Sequence, residues 1–122
     1  MTIEFTVPYP ARKSAWTKRY GFNAYWAGKK PCVRATDARD LEAFVRLCLR
    51  QQNVPVRLFE KPVSISFWHS THMDIDNHAA IEKMTVDAIK GWLLRNDDRR
   101  HYREKHSFFH DENYMRVVIS DE

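Results

Sequence analysis

Two aspartates in the segment Met73-Asp74-Ile75-Asp76-Asn77 could bind a metal ion. Carboxylates separated by one residue on an extended chain point the same way, so both can bind one hard cation such as Mg²⁺. Asp97 and Asp98 follow the next helical pattern and are expected to return to the same end of the sheet, because their connection must retrace the helix. Three carboxylates around Mg²⁺ would activate water and offset charge on a phosphate. Alternatively, Asp76 or Asn77 caps the helix and Asp97-Asp98 is a solvated turn.

The histidines offer a rival metal site. His69-x-x-His72 lies directly before the aspartates, and His106-x-x-x-His110 lies farther along the chain. Imidazoles with carboxylates can bind Zn²⁺ or Mn²⁺. No thiol joins them, and on a strand His69 and His72 would face opposite ways. We therefore expect histidines at the surface rather than around zinc.

A basic segment, residues 5–36, contains seven Lys or Arg residues and no acid. Aromatic residues alternate with these bases, a mixture that neutralises phosphates and offers flat faces to nucleobases. A polyanionic partner is one interpretation. The other is that the aromatics fill a core beneath a solvated basic loop. The bases are Arg12, Lys13, Lys18, Arg19, Lys29, Lys30 and Arg34, and the aromatics include Tyr9, Trp16, Tyr20, Phe22, Tyr25 and Trp26.

Length and composition exclude several classes of protein. With 122 residues, 43% of them apolar and 13% aromatic, the chain fits one domain with a core. It has no membrane-spanning apolar run and no segment resembling a signal peptide, so a soluble intracellular protein is expected. Cys32 and Cys48 are predicted to be ordinary reduced thiols. No P-loop, dinucleotide fingerprint or G-x-S-x-G motif points to another enzyme class.

The hydrophobic pattern predicts an α+β domain with a small mixed sheet of about four strands and two main helices, in the order β-α-β-α-β-β. Helices are predicted from Thr36 or Asp37 to Asn53, with a core stripe, and from Asn77 to about Leu94. Residues 8–36 read as a long loop. The expected core stripes are Leu41, Phe44, Val45, Cys48 and Leu49 in the first helix and Ile81, Met84 or Thr85, Ala88 and Trp92 in the second. The predicted strands are Ile3–Val7, Pro62–His69, Arg100–Phe108 and Tyr114–Ile119.

The acidic motifs resemble those of the RusA family of Holliday junction resolvases, small endonucleases found largely in bacteria and their phages. Asp74-Ile-Asp76-Asn77 matches the family's Asp-x-Asp-Asn, and Lys83 with Asp87-Ala88-Ile89 matches Lys-x-x-x-Asp-Ala-Leu. Asp97-Asp98 matches the terminal Asp-Asp. Val7-Pro8-Tyr9-Pro10 and Pro62-Val63-Ser64-Ile65 resemble the opening strand and the strand before the acidic motif, so the resemblance covers most of the chain.

The resemblance implies one RusA-like endonuclease domain over residues 1–122. It would act as a cytoplasmic, homodimeric, Mg²⁺-dependent enzyme, with Mn²⁺ as a possible substitute, in a bacterium or a phage-infected host. Its substrate would be branched DNA, cut by paired symmetric nicks at a four-way junction. The implied metal ligands are Asp74, Asp76 and Asp98, and the implied catalytic residues add Lys83, oriented by Asp87. DNA backbone contacts would come from Arg12, Lys13, Lys18, Arg19, Lys29 and Lys30, and Trp16 or Tyr20 would probe the open junction centre.

One spacing departs from the family pattern. The family lysine follows the second aspartate by four residues, whereas Lys83 follows Asp76 by seven and Ala80 takes the four-residue position. The extra residues either extend the helix, which moves Lys83 one turn away, or loop out around His78 and Ala79. A different class of function also remains open, a nucleic-acid-binding protein of the same fold that does not cut.

Overall fold

A four-stranded mixed sheet organises the computed structural model, which describes residues 1–122. The strands are β1 (Thr2–Pro8), β2 (Val63–His69), β3 (Tyr102–Phe109) and β4 (Tyr114–Ser120), in the spatial order β1-β4-β2-β3. Strand β4 is antiparallel to both β1 and β2, whereas β2 and β3 are parallel. The predicted α+β class and four-stranded mixed sheet are confirmed.

Four helices accompany the sheet. They are α1 (Lys13–Tyr20), α2 (Phe22–Trp26), α3 (Pro31–Gln51) and α4 (Ala79–Ile89), and a 3₁₀ turn at Ile75–His78 precedes α4. The long loop predicted for residues 8–36 is wrong, because α1, α2 and the start of α3 occupy most of it. Helix α3 begins before Thr36 because Pro31 takes its first turn, where a missing N–H breaks no helical bond.

The core lies between one face of the sheet and the long helices. Val63, Ile65 and Phe67 alternate inward from β2 and are fully buried, as expected for a strand with one covered face. Both helical stripes reach this core as predicted, except that Phe44 is exposed and Trp92 lies beyond α4. Helix α4 stops at Ile89 rather than near Leu94, because Lys90 is extended and Gly91 adopts a positive φ of 80°.

Helix α3 is tied to α4 as well as packed on it. The Arg46 guanidinium donates to the Ala88 carbonyl at 3.2 Å, and a cation suits the negative end of α4.

Both cysteines are free thiols. No helix combines the length and the apolar character that a membrane span requires.

Candidate functional site

The acidic loop, residues 70–78, follows the end of β2. Asp74 and Asp76 are both exposed, and neither carboxylate has an ion-pair partner in the chain. The extended geometry assumed for the pair does not hold at Asp76, because the Asn77 N–H donates to the Asp74 carbonyl at 3.0 Å and closes the 3₁₀ turn. Two free carboxylates on one short turn still provide the oxygen ligands that Mg²⁺ prefers.

Asp98 lies at the other end of the parallel strand pair. The N–H of Tyr102 donates to the Asp98 carbonyl at 2.8 Å, and Tyr102 pairs with Val63 at the start of β2. Asp74 and Asp76 come after the end of that strand, which is about 20 Å long. The expectation that Asp98 returns to their end is therefore wrong, because α4 itself retraces β2 before β3 begins. No three acidic, histidine or cysteine side chains in the chain lie close enough to share a metal.

The Asp98 carboxylate has local partners instead. It accepts a hydrogen bond from His101 at 2.6 Å and pairs with Arg100 at 3.4 Å. The hydrogen bond from His101 is the main cause that lowers the pKa of Asp98. The carboxylate is therefore ionised at neutral pH and exposed enough to reach an added ligand.

Lys83 belongs to a charged cluster on the exposed side of α4. Its Nζ lies 2.9 Å from Asp87 and 3.0 Å from Asp97, and Lys90 Nζ lies 3.3 Å from each of the same carboxylates. The hydrogen bond to Asp87 is the main cause that raises the pKa of Lys83. Lys83 thus stays cationic and oriented, which suits a group that meets negative charge rather than one that takes a proton. The expected contact between Lys83 and Asp87 across one helical turn is present.

The extra residues between Asp76 and Lys83 are accommodated by the 3₁₀ turn. The turn ends at His78 and α4 begins at Ala79, so neither a longer α-helix from Asp76 nor a looped-out segment forms. Lys83 lies one turn into α4, with 62% of its side chain exposed. The site therefore has its lysine on the helix that starts at the acidic loop.

A buried polar network beneath this loop was missed by sequence reasoning. Glu82 is only 3% exposed, yet it accepts hydrogen bonds from His69 Nε2 at 2.8 Å, Ser107 Oγ at 2.5 Å and Lys105 Nζ at 2.9 Å. Burial acts to raise the pKa of Glu82, but these three bonds together lower it. The network joins α4 to β2 and β3. Its sequence signal, a glutamate on the apolar stripe of α4, identifies a buried acid but not its partners.

Two histidines expected at the surface are buried in the same region. His69 and His78 stack with ring centroids 4.0 Å apart, and His78 Nε2 lies 2.8 Å from Thr71 Oγ1. Burial, followed by the neighbouring His69, lowers the pKa of His78. The His69–His78 stack and the contact with Thr71 fix the acidic loop on the sheet, and they favour the neutral form of His78. The other four histidines are exposed or half-buried.

The acidic loop also contacts the basic segment. The Asn77 side-chain oxygen accepts from the Asn23 N–H at 2.7 Å, in the first turn of α2. A Cβ at Gly21 would sit 2.7 Å from the Thr17 backbone oxygen and 2.7 Å from the Met73 sulfur, so glycine lets the backbone and Met73 approach this closely. Lys13 of α1 lines a surface hollow of about 510 Å³ together with Met73. The acidic and basic parts of the sequence thus form one continuous surface.

The six Lys and Arg residues predicted to contact DNA divide into those with a partner within the chain and those that are exposed. Arg19 and Lys29 both pair with the buried Asp37, at 2.6 and 2.8 Å, so their charges are compensated within the chain. Lys13 lies against the Tyr9 ring and is half-buried. The remaining three, which are exposed, are Arg12, Lys18 and Lys30.

The aromatics of the basic segment divide in the same way. Trp16 and Tyr20 are 4% and 7% exposed and belong to the core, so the expectation that they probe a junction centre is wrong. Their rings stack edge to face, because α1 turns them towards Tyr9 and the sheet. The exposed rings are those of Phe22 and Trp26 on α2.

No protein-family model matches this sequence. No curated protein sequence matches it either.

Proposed function

We propose that this chain is a Mg²⁺-dependent endonuclease that nicks branched DNA, with four-way junctions as its substrate. The observation that carries the proposal is the acidic loop, where Asp74 and Asp76 present two unpaired carboxylates just before the helix that bears Lys83. This combination suits a metal-dependent nuclease, since carboxylates hold the cation and a fixed ammonium meets the charge that develops on the phosphate. The resemblance to the RusA family supplies the substrate class.

Each group has a separate role in this proposal. Asp74 and Asp76 would hold Mg²⁺ together with Asp98, and the bound ion would supply an activated water and offset phosphate charge. Lys83 would contact the scissile phosphate, held in place by Asp87. The exposed Lys and Arg residues of the basic segment would contact the DNA backbone, which would pass over the hollow beside Met73.

Asp98 joins Asp74 and Asp76 only if two chains share the site. In one chain the strand pair β2–β3 separates them, so the third carboxylate has to come from a second subunit. A homodimer then has two identical composite sites, which suits a junction that needs two symmetric nicks. This arrangement makes cleavage depend on dimerisation.

Cleavage of a labelled four-way junction tests the proposal. Wild type should nick it with Mg²⁺ and not with a chelator, and Asp76→Asn should bind the junction but not nick it. Glu60→Gln removes one exposed charge elsewhere and should cut normally. Chelator-resistant binding without any nicking would favour the non-cleaving nucleic-acid-binding protein, which the absence of a three-acid group in one chain also favours.

Mixing two inactive variants tests the shared site. In a mixed dimer of Asp76→Asn and Asp98→Asn, one composite site carries both substitutions and the other carries neither. The mixture should therefore nick junctions although each variant alone does not. If the mixture stays inactive while subunits exchange, Asp98 does not act across the dimer.

A further inference from the structure

A second concave feature lies between α2 and α4, beside the acidic loop. The cleft has a volume of about 240 Å³. Its floor is formed by Ala79, Ala80 and Met84 of α4, whose small alanines leave room above the helix. Its wall is formed by the rings of Phe22 and Trp26. The cleft therefore has an apolar floor and an apolar wall, and it is open to solvent.

The two aromatic rings that form the wall are largely exposed to solvent. Phe22 is 41% exposed and Trp26 53% exposed, and their ring centroids are 6.2 Å apart. Helix α2 contains no buried residue, and its position depends on the bond from its Asn23 N–H to Asn77. Two large rings held in water in front of α4 form an apolar surface that is suited to a ligand.

The charges at the rim identify the ligand chemistry. The Arg34 guanidinium lies 4.7 Å from the centroid of the Trp26 ring, and Lys30 is exposed in the turn between α2 and α3. Lys83 and Asp87 form the polar end of the cleft, and they can donate to and accept from the edge of a flat heterocycle. A planar group attached to a polyanion could therefore stack on the aromatic rings of the wall while its anionic part meets the nearby cations.

We propose that this cleft binds one unpaired nucleobase of a nucleic acid, stacked on the Trp26 ring with its edge against the Phe22 ring, which is tilted 58° to that of Trp26. The backbone of the nucleic acid would follow the nearby Lys and Arg side chains. The inference rests on the nucleic-acid partner of the proposed function but does not depend on cleavage. A symmetric second copy of this chain is disfavoured as the occupant, because Arg34, which lies against Trp26, would then face its own copy across the interface. The cleft also adjoins Lys83, so a base held there leaves its own phosphate close to the acidic loop.

Binding in chelator separates base recognition from catalysis. The probe is a four-way DNA junction with one unpaired thymine at its centre, compared with the same junction lacking that base and with a fully paired duplex. Trp26→Ala and Phe22→Ala should each weaken binding to the first probe about 5- to 100-fold, the range typical of a lost base–aromatic stack. Duplex binding should change less than about twofold, since backbone contacts are retained.

Two controls make the result specific. Phe108→Ala removes a ring of similar exposure from the open face of the sheet and should leave all affinities unchanged. Removing the thymine should weaken wild type and should add nothing to the loss in Trp26→Ala, because both changes delete the same contact.

The inference is overturned if both cleft variants bind the unpaired-base junction normally, or if they lose affinity equally for duplex. It is also overturned if Trp26→Ala converts a dimer to a monomer in sedimentation, since the cleft would then be a protein interface. If wild type cuts junctions but the variants bind normally, the nuclease proposal stands without the base site. If base-specific loss occurs in a protein that never cuts, the base site stands and the nuclease proposal fails.

Discussion

The buried Glu82 carboxylate provides a sharp test of how the site is held together. Glu82→Gln keeps the size and shape of the side chain but removes its charge. In the wild type three donors converge on this carboxylate, from His69, Ser107 and Lys105, at 2.5 to 2.9 Å. A glutamine retains one acceptor oxygen and turns two N–H groups towards the remaining donors.

The expected loss of unfolding free energy is about 3 kcal/mol. Hydrogen bonds to a charged group contribute about 1.5 to 3 kcal/mol each when the donor is buried, and His69 is buried completely while Ser107 is half-buried. The Lys105 side chain is 45% exposed and regains water, so its pair counts for about 1 kcal/mol or less. Glutamine still forms some neutral hydrogen bonds with these donors, which keeps the total at the lower end of the roughly 3 to 5 kcal/mol that breaking a buried ion pair costs.

Urea unfolding followed by circular dichroism measures this loss. The midpoint should fall by roughly 1 to 2 M at pH 7, whereas the control Lys105→Ala should shift it much less. The pH dependence gives an independent check, because the pKa of Glu82 is lowered from its ordinary value of 4.5. The stabilisation is fully present above that value and is lost as the pH falls through the lowered folded-state pKa. The gap between wild type and Glu82→Gln should therefore narrow below about pH 4.5.

A loss below about 1 kcal/mol at pH 7 would refute the reasoning, because the three short contacts would then contribute no more than surface pairs. A gap that widens in acid would refute the assignment of Glu82 as the ionised member. Neither outcome would bear on cleavage, so the architecture and the proposed activity are tested separately.

Further predictions concern the lysines and the buried indole. Lys83→Ala should lower junction nicking about 10²- to 10³-fold with little effect on Mg²⁺ affinity, and normal nicking would remove Lys83 from the catalytic residues. Lys30→Ala should weaken DNA binding and reduce the slope of its salt dependence by about one unit, and an unchanged slope would make Lys30 a bystander. Lys29→Ala should instead lower stability by about 2 kcal/mol in urea titrations, because it leaves the buried Asp37 one donor short. Trp16→Ala should lower stability by about 3 to 5 kcal/mol, and a loss near zero would contradict its burial.

Local patterns in the sequence were enough for most of the fold. Alternation along Val63, Ile65 and Phe67 specified both the strand and its buried face, since successive side chains on a strand point to opposite sides. The predicted stripe of α3 is confirmed except at Phe44, which is 36% exposed. Helices α1 and α2 were missed because they are short, and only Trp16 and Tyr20 of α1 are buried. Helix α2 has no buried residue and depends on Asn77 and Gly21.

Motif residues that are close in sequence could be placed without the structure. Lys83 pairs with Asp87 across one turn of α4, because residues three or four apart are neighbours on a helix. The sequence also placed Asp74 and Asp76 in one short segment, although the extended geometry predicted for them is replaced by a 3₁₀ turn. The sequence alone therefore determined that the loop after β2 carries two neighbouring carboxylates.

Only the tertiary structure decided which distant residues meet. The parallel pairing of β2 with β3 moves Asp98 away from Asp74, and the crossover through α4 brings Asp97 to Lys83 instead. The same crossover buries Glu82 against His69, although 13 residues separate them in the chain. Such contacts depend on strand order and direction, which hydrophobic periodicity does not encode, because a strand has the same alternation whether its neighbour is parallel or antiparallel.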